Sequence, residues 1–451
     1  MRSILRSVVC AAALAVPAFG GTAPAVPAPG DDKTYEQLSF LVDVLEIVRE
    51  NYVDSPDVQK LTYGAAAGLA RTLDPFSQFM EPQDHREIKA ETEGEFGGIG
   101  IRMVMKDDWL TVLTPLPGTP AYRAGLLPDD RIVEIDGESA KDLQVADAME
   151  KLRGAVGSQV KLTVLRWPDK KAEARAGVKT STGTAPVRSP EAAADGVEKE
   201  FTLTRESIKI ESVLHRGLGD QIGYVRINEF SAHTSRDFRD ALQVLSRDGL
   251  AGLVLDLRFN PGGLLSAAVD VAASFLGGDK LIVYTQGRRP DSRQEFRGGH
   301  RALYEDLPLV VLVNEASASG SEIIAGALQD HRRAVLMGER TYGKASVQSV
   351  IPLPKNCALR LTIARYYTPK GRSIHRDEKK KTGGIAPDIA APVPHDVQEK
   401  IFAQWETIYE PGQKPRSAVG KDETVRDELL ERAAVLLKSG EAVSRLKDRA
   451  R

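Results

Sequence analysis

The chain has 451 residues, 42% of them hydrophobic and 27% charged, a balance typical of soluble globular proteins with buried cores. Its length predicts roughly two to four domains. Lys and Arg total 61 against 63 Asp and Glu, a formal charge of −2, which argues against nucleic acid or an anionic membrane surface as a partner.

Residues 1–20 have the arrangement of a secretory signal peptide. Two arginines precede an apolar stretch from Ser7 to Phe19, and small residues around Gly20 provide a cleavage position. This stretch is shorter than the roughly 20 apolar residues that a membrane-spanning helix needs. We therefore expect export to the periplasm or cell envelope, with the Pro-, Ala- and Gly-rich residues 21–32 forming a flexible leader.

Removal of that segment leaves Cys357 as the only cysteine, so the mature chain cannot form an internal disulfide. The cysteine precedes a strand-like run, which favours a buried structural role over a nucleophilic one. Core packing therefore has to stabilise the fold even outside the cytosol.

Residues 33–95 are predicted to be an N-terminal helical region. Its first helix carries two apolar stripes at three- and four-residue steps, Leu38, Leu41, Leu45, Val48 and Tyr52 in one and Phe40, Val44 and Ile47 in the other. A second helix is predicted from Val58 to Leu73. Two apolar faces indicate packing on the rest of the chain and on another subunit, so we expect a homo-oligomer, either a dimer or a larger ring.

Between residues 96 and 208 the apolar period shortens to that of strands, with turns at Gly and Pro. Residues 168–200 lack any apolar period and are predicted as a surface insertion in a hairpin. Residues 209–394 alternate apolar strands with helices, which favours an α/β core around a mostly buried sheet. Residues 395–451 are predicted to be helical again.

The most informative segment joins a strand that ends near Val313 to a helix that begins near Ser321. Ser317, Ser319 and Ser321 lie in or next to that turn. Such a turn exposes a side chain at the end of the sheet, and it directs free N–H groups and the helix dipole towards an oxyanion. Taken alone, the serines fit ordinary turn and N-cap chemistry equally well.

A catalytic serine needs a base, and the sequence offers a histidine and a lysine. His331 stands at the end of the helix after the serines, and a helix of about ten residues places its end roughly 15 Å from its start. Lys344 lies between Gly343 and Ala345, in a turn before an apolar strand. Burial lowers the pKa of a lysine from about 10.4 by up to several units, so a buried Lys344 could accept a proton. A solvated turn lysine is the alternative that spacing leaves open.

Two glycine turns add further candidate sites. Gly262 and Gly263 follow a buried strand and precede a helix, where their N–H groups would meet a developing negative charge. A phosphate loop is rejected because the P-loop spacing and its Lys-Ser/Thr are missing. The sequence Gly-Ile-Gly-Ile at 98–101 opens a strand, and its N–H groups suit the terminal carboxylate of a peptide that pairs with that strand.

Taken in order, these segments resemble the carboxyl-terminal processing peptidases, also called tail-specific proteases. The likeness runs from LDPFSQFM to GGIAPDI and includes PAYRAGLLPDDRIVEIDG downstream of the 98–101 loop. The resemblance implies a Ser-Lys dyad. Ser319, which precedes Lys344 by 25 residues as in the family, is then the nucleophile, Lys344 the general base and Gln348 the residue that orients the lysine.

The resemblance also implies an oxyanion hole formed by the N–H of Gly320 and that of Gly262 or Gly263. It implies a PDZ domain over residues 96–208, with the 168–200 insertion where the family has a shorter hairpin. The carboxylate-binding loop of that domain would be Gly98, Ile99, Gly100 and Ile101. In characterised relatives this domain can gate the active site until a substrate tail displaces it.

The fold class expected is therefore multidomain α/β, in which an α/β protease core (crotonase/ClpP-like) carries an inserted PDZ domain and terminal helical segments. The function expected is a serine endopeptidase that cleaves exported proteins at or near their C-termini, without a metal or another cofactor. Expected partners are protein or peptide substrates with apolar C-termini, further copies of the chain, and an adaptor protein that the sequence leaves open. Phe76 stands where the family often has histidine, a departure that does not touch the dyad.

Two other functions fit part of the sequence. A catalytically silent PDZ adaptor would bind peptide tails without turnover. A small-molecule hydratase or hydrolase with the same α/β core would give no role to the PDZ-like segment, to Ser319 or to Lys344. The peptidase is favoured because it uses all three.

Overall fold

The computed structural model describes the following residues: 32–106, 108–116, 118–141, 143, 145–167, 196–247, 249–299, 301–377, 382–394, 396–398, 400–401, 404 and 425–448. The chain divides into two compact units, residues 1–73 and 74–451. The signal peptide predicted at 1–20 lies outside the described residues. So do nearly all of the leader and most of the insertion predicted at 168–200.

The first unit contains two helices, α1 (Asp32–Asn51) and α2 (Val58–Arg71), close to the predicted bounds. Asp57 caps α2 by accepting the N–H groups of Gln59 and Lys60 at 2.8 and 3.2 Å. The two buried faces predicted for α1 are not found in the single chain, where only Leu45 and Val48 of the two stripes are half-buried. A pair of helices cannot enclose opposite faces of one of them. None of the described helices is both long and apolar enough to cross a membrane.

The second unit begins with a strand-rich region. Its elements are β1 (Gln78–Met80), α3 (Pro82–Glu93), β2 (Glu95–Gly98), β3 (Ile101–Lys106), β4 (Trp109–Pro115), α4 (Pro120–Arg123), β5 (Arg131–Ile135), β6 (Glu138–Ser139), α5 (Val145–Leu152), β7 (Gln159–Arg166), β8 (Val197–Thr204) and β9 (Glu206–Lys209). Strand β8 shows that the chain returns to a sheet slightly earlier than residue 200, the predicted end of the insertion.

An alternating region follows, as the sequence predicts. Its elements are β10 (Val213–Gly217), β11 (Ile222–Ile227), α6 (Thr234–Ser246), β12 (Gly252–Asp256), α7 (Leu265–Ala273), β13 (Leu281–Gly287), a 3₁₀ turn (Pro290–Ser292), β14 (Gln294–Arg297), β15 (Leu309–Val313), α8 (Gly320–Asp330), β16 (Val335–Gly338), β17 (Ser346–Pro352), a second 3₁₀ turn (Pro354–Asn356), β18 (Ala358–Tyr367), β19 (Ile389–Ala390), α9 (Glu428–Lys438) and α10 (Glu441–Asp448).

The central sheet runs in the order β10-β11-β12-β15-β16-β19, parallel throughout except for the antiparallel edge strand β10. Every residue of β11, β12, β15 and β16 is buried, as expected for a parallel sheet covered on both faces. Helices α6, α7 and α8 pack on one face, and α9 and α10 on the other. A mixed α/β architecture is confirmed, and the helices that cover the second face of the central sheet come from beyond residue 394.

A second sheet lies beside the core in the order β1-β18-β13-β14, with β17 also paired to β18. It is antiparallel, and its long strand β18 forms the centre to which β1, β13 and β17 attach. Cys357 immediately precedes β18 and is only 2% exposed, which confirms the predicted buried cysteine. This sheet matters for function because Lys344 lies just before β17.

The strand-rich region forms its own sheet, in the order β3-β4-β5-β7-β8 with β6 paired to β5, around a separate apolar core. Strand β3 is at the edge of this sheet, and helix α5 lies beside it. A two-stranded antiparallel ribbon, β2 with β9, stands where the chain enters and leaves this region. The His233 ring lies 2.9 Å from the Glu95 carboxylate and links the ribbon to the α/β core.

Arg258 ties the end of β12 to helix α9. It is 4% exposed, and its guanidinium donates to the carboxylates of Asp256 and Asp427 at 2.6 and 2.7 Å. Tyr224 donates a further hydrogen bond to Asp256 at 2.9 Å. This buried network fixes the backbone just before the turn that carries Gly262.

We predict that Arg258→Met lowers the free energy of unfolding by about 3–5 kcal/mol, because it leaves the buried carboxylate of Asp256 without its cation. Arg289→Met is the matched control, since Arg289 pairs with Asp291 on the surface and its loss should leave stability unchanged. Urea unfolding of the two variants measures the difference. Equal stability would contradict a structural role for the buried pair.

Candidate active site

The three serines after β15 have different environments. Ser317 and Ser321 are fully buried, and their hydroxyls donate to the carbonyls of Leu257 at 2.8 Å and Asn260 at 3.1 Å. Ser319 is half-exposed and lines a cavity. Its φ of +51° is uncommon for a residue other than glycine and indicates strain at a functional position. Two serines therefore hold the turn, and the third faces the cavity.

Glu322, in the first turn of α8, connects this turn to the segment before β17. The carboxylate is 0% exposed and accepts four hydrogen bonds. The donors are the N–H groups of Ser319 (3.0 Å), Gly343 (2.7 Å) and Lys344 (2.8 Å) and the hydroxyl of Thr341 (2.5 Å). Burial raises the pKa of Glu322, and these hydrogen bonds only partly oppose the shift.

Lys344 is half-buried and lines the same cavity as Ser319. Burial lowers the pKa of this lysine, the positive charge of Arg360 lowers it further, and the negative charge of Glu322 acts in the opposite direction. The Lys344 ammonium lies 4.9 Å from the centre of the Phe76 ring, so the expectation that the departure at Phe76 does not touch the residues of the dyad is wrong for Lys344. This half-burial and the lowered pKa favour the buried lysine over the solvated one that the sequence left open.

Gln348 also lines the cavity. Its amide nitrogen donates to the backbone carbonyl of Phe76 at 2.6 Å. The resemblance implies that Gln348 orients Lys344, and this role stays a prediction.

Tyr366 lines the same cavity and contributes a buried hydroxyl. The hydroxyl donates to the carbonyl oxygen of Lys344. Burial raises the pKa of Tyr366 well above its usual value, and the charge of Glu322 raises it further. The phenol therefore remains protonated and acts as a donor at neutral pH.

The glycine turn lies directly against Ser319. A Cβ placed on Gly262 would stand 2.5 Å from the Cβ of Ser319, and φ at Gly262 is +108°, so a larger residue would displace the serine. The Gly262 N–H donates to the side chain of Asn260 at 2.8 Å. Gly263 is paired with Phe230 in a parallel bridge. In the part of the chain that the structure describes, the N–H groups of Gly263 and Gly320 have no acceptor.

The cavity has a volume of about 710 Å³. Its walls are largely apolar and include Phe230, Leu264, Ile323 and Val347, with Ile88 and Thr92 of α3 on one side. A cleft of this size accommodates an extended peptide segment. Helix α3 leads directly into the β2–β9 ribbon, so the element that lines the cavity is continuous with the entrance to the strand-rich region.

The predicted carboxylate loop lies between β2 and β3. The Ile99 carbonyl accepts the N–H of Ala121 at 2.9 Å, and the Gly100 carbonyl accepts that of Leu116 at 2.9 Å. The N–H groups of Ile99 and Gly100, in contrast, have no acceptor among the described residues. Gly98 ends β2 and Ile101 begins β3, so the loop opens the edge strand as expected.

His331 lies at the other end of α8, where it is the C-cap. Its ring nitrogen is 2.6 Å from the carbonyl oxygen of Leu281. The structure therefore places this histidine away from the serine turn, whereas Lys344 lines the same cavity as Ser319.

The profile of peptidase family S41 matches residues 221–391, and that of the PDZ domain matches residues 111–166. A carboxy-terminal-processing protease of Bartonella bacilliformis is 38% identical over 378 residues, which cover 82% of this chain and 79% of that protein. This chain belongs to peptidase family S41. It is a serine-type peptidase that carries a PDZ domain, as the resemblance implied.

Other similar proteins carry related names. A carboxyl-terminal-processing protease of Synechocystis sp. is 36% identical over 350 residues, which cover 76% of this chain and 74% of that protein. Among solved structures, the photosystem II D1 C-terminal processing protease aligns with a TM-score of 0.42 at 30% identity, covering 79% of this chain and 93% of that one.

Three residues of the S41 site were not predicted from the sequence as part of it. Glu322 could have been found, because Ser319 and Glu322 have the spacing of a helix capping box. Tyr366 and Phe76 carry no such signal. They reach the site through β18 and through the turn before β1, both distant in the sequence.

We predict that Glu322→Gln reduces kcat by about 100-fold, because an amide group cannot accept all four hydrogen bonds, and small displacements of reacting groups cost about that factor. Glu339→Gln is a control outside the cavity, for which we expect unchanged kcat. Steady-state assays, together with thermal melting to establish folding, measure the effect. Wild-type turnover by a folded Glu322→Gln enzyme would show that the carboxylate does not control the placement of Ser319 and Lys344.

Proposed function

We propose that this S41 peptidase is an endopeptidase that cleaves exported proteins at or near their C-termini through a Ser319–Lys344 dyad. One observation carries the proposal. Of the three serines in the turn, only Ser319 lines the cavity, and it shares that cavity with a lysine of lowered pKa.

In the proposed mechanism, neutral Lys344 accepts the proton of the Ser319 hydroxyl as the serine oxygen bonds to a peptide carbonyl carbon. The carbonyl electrons move to its oxygen and form an oxyanion. When the oxyanion collapses, the C–N bond breaks, and Lys344 donates the proton to the leaving amine. Water then attacks the acyl-enzyme, Lys344 takes the proton of that water, and it returns a proton to Ser319 as the acid product leaves.

The oxyanion would be bound by the N–H groups of Gly320 and Gly263. Gly320 starts α8, so the partial positive charge of that helix end adds to its N–H. The bridge to Phe230 uses the Gly262 carbonyl and the Leu264 N–H, which directs the Gly263 N–H away from Phe230. Gly262 is the weaker candidate because Asn260 already accepts its N–H.

The PDZ domain would bind the substrate tail as an added strand. Strand β3 is the edge of its sheet and α5 lies beside it, the arrangement needed for a peptide to pair with β3. The loop with the unpaired N–H groups of Ile99 and Gly100 would hold the terminal carboxylate. The apolar walls of the catalytic cavity favour apolar residues near the cleaved bond.

Gating by the PDZ domain is also proposed. Helix α3 both lines the cavity and leads into the ribbon, so movement of the PDZ domain would move a wall of the site.

The buried parallel sheet with helices on both faces favours a crotonase/ClpP-like core. The signal-peptide pattern favours periplasmic or cell-envelope location, and the exposed apolar stripes of α1 favour a homodimer or larger ring. An adaptor protein remains a further partner to test.

The test compares the wild-type protein with Ser319→Ala and Lys344→Ala on an unstructured protein with an apolar C-terminus. We expect kcat to fall by about 10⁴-fold or more in both variants while peptide binding persists. His331→Gln is the matched control for the alternative base and should retain turnover. Cleavage by Ser319→Ala would refute the nucleophile, and binding without cleavage by the wild-type protein would favour the adaptor.

The pH dependence provides a second prediction. Because Lys344 must be neutral, kcat/KM should rise with pH along an acid limb whose midpoint lies below 10.5, the usual lysine pKa. The charge of Arg360 lowers the Lys344 pKa, so Arg360→Gln should move the midpoint to higher pH and reduce activity at neutral pH. Arg289→Gln, on an exposed turn, should leave the profile unchanged. A flat profile in the acid range with folded protein would contradict a lysine base.

A further inference from the structure

The turn 74–77 lies next to the catalytic lysine and is closed by its own carboxylate. Asp74 accepts the N–H groups of Phe76 and Ser77 and the Ser77 hydroxyl, each at 2.8 Å. Burial raises the pKa of Asp74, but these hydrogen bonds outweigh burial and the net shift is downward. The carboxylate is therefore ionised at neutral pH and keeps the turn in one conformation.

Strand β18 holds this turn in place. Thr362 donates its N–H to the Ser77 oxygen at 3.1 Å and its hydroxyl to Asp74 at 3.3 Å. Arg360 donates to the Gln78 side chain at 2.9 Å, and β1 pairs with β18. The turn is thus fixed over the β17–β18 pair, on which Gln348 also lies.

Both the ring and the carbonyl of Phe76 contact the catalytic segment. The ring centre is 4.9 Å from the Lys344 ammonium, within the range of a cation–π interaction. The carbonyl accepts the Gln348 amide at 2.6 Å. We propose that Phe76 is a positioning residue whose ring stabilises the Lys344 ammonium and whose carbonyl fixes Gln348, an inference that rests on the proposed dyad.

The ring acts at the step in which charge develops on the lysine. When the proton moves from the Ser319 oxygen to the Lys344 nitrogen, an ammonium forms as the serine oxygen bonds to the substrate carbon. The negative face of the Phe76 ring stabilises that ammonium without accepting the proton. The lysine then keeps a fixed direction relative to the serine throughout the step.

Other charged and titratable groups face Lys344 from neighbouring elements. Glu322 on α8 favours the ammonium, whereas Arg360 on β18 disfavours it. Tyr366 on β18 is neutral, and Glu229, before α6, lines the same cavity. The Phe76 ring, like Glu322, raises the pKa of Lys344, whereas Arg360 and burial lower it. Removal of the ring should therefore lower this pKa.

An apolar side chain that merely fills space is the alternative to an electrostatic role. Phe76→Leu keeps the apolar bulk but removes the aromatic face, and Phe76→Tyr keeps the face. If the side chain only fills space, Phe76→Leu should preserve the wild-type pH profile at least as well as Phe76→Tyr. If the ring makes a cation–π contact, only Phe76→Tyr should preserve it.

The first measurement is the pH profile of kcat/KM for the full chain and both variants, after thermal melting has established that all are folded. For Phe76→Leu we expect the acid midpoint to move to lower pH and the plateau to fall by about tenfold. Phe76→Tyr should keep the wild-type midpoint. An unchanged midpoint in Phe76→Leu, or equal shifts in both variants, would overturn the proposal.

The second measurement does not depend on turnover. Lysines are labelled by ¹³C reductive methylation in a Ser319→Ala background, and the Lys344 resonance is assigned by its loss in Lys344→Arg. Titration should show a lower Lys344 pKa with Phe76→Leu than with Phe76 or Tyr at that position. If the wild-type enzyme lacks turnover, the proposed function fails, but this titration still decides whether the ring stabilises the ammonium.

Discussion

One buried carboxylate organises the catalytic centre. Glu322 accepts hydrogen bonds from the turn that carries Ser319 and from the segment that carries Lys344. The serine belongs to the end of the parallel sheet and the lysine to the start of the antiparallel sheet, so the two have no hydrogen-bonded strand in common. Four donors partly offset the cost of burying this carboxylate. The relative position of Ser319 and Lys344, the proposed nucleophile and base, therefore depends on a residue that performs no chemistry in the proposed mechanism.

The three serines of the turn after β15 have different structural roles. Residues 317 and 321 direct their hydroxyls into the core, where each satisfies a backbone carbonyl from another loop. Residue 319 takes a left-handed backbone conformation, and its side chain lines the cavity. This strained backbone conformation persists because the hydrogen bonds of the residues on both sides of Ser319 fix the turn. Gly262 then fits against the serine because it has no side chain to displace it.

Much of the architecture follows from local patterns in the sequence. Alternation of apolar strands with helices predicted the α/β core, and the apolar environment predicted the buried Cys357. Ser319 and Lys344 were selected by the family spacing, because local chemistry does not distinguish Ser319 from its neighbours. Glu322 has the spacing of a capping box with Ser319 and could have been found, whereas Tyr366 and Phe76 were missed because their contacts join segments far apart in the chain. The apolar stripes of α1 are largely exposed in the single chain, because periodicity predicts an apolar face but not the partner that covers it.

The ribbon of β2 and β9 has a consequence for the evolution of the molecule. The strand-rich region, which contains the PDZ match at 111–166, is bounded by two adjacent antiparallel strands, so it is inserted into the chain of the α/β core with both ends close together. A different module could replace it there without altering the order of strands in the core sheet. Selection can thus change the module at this position while the α/β core remains as it is.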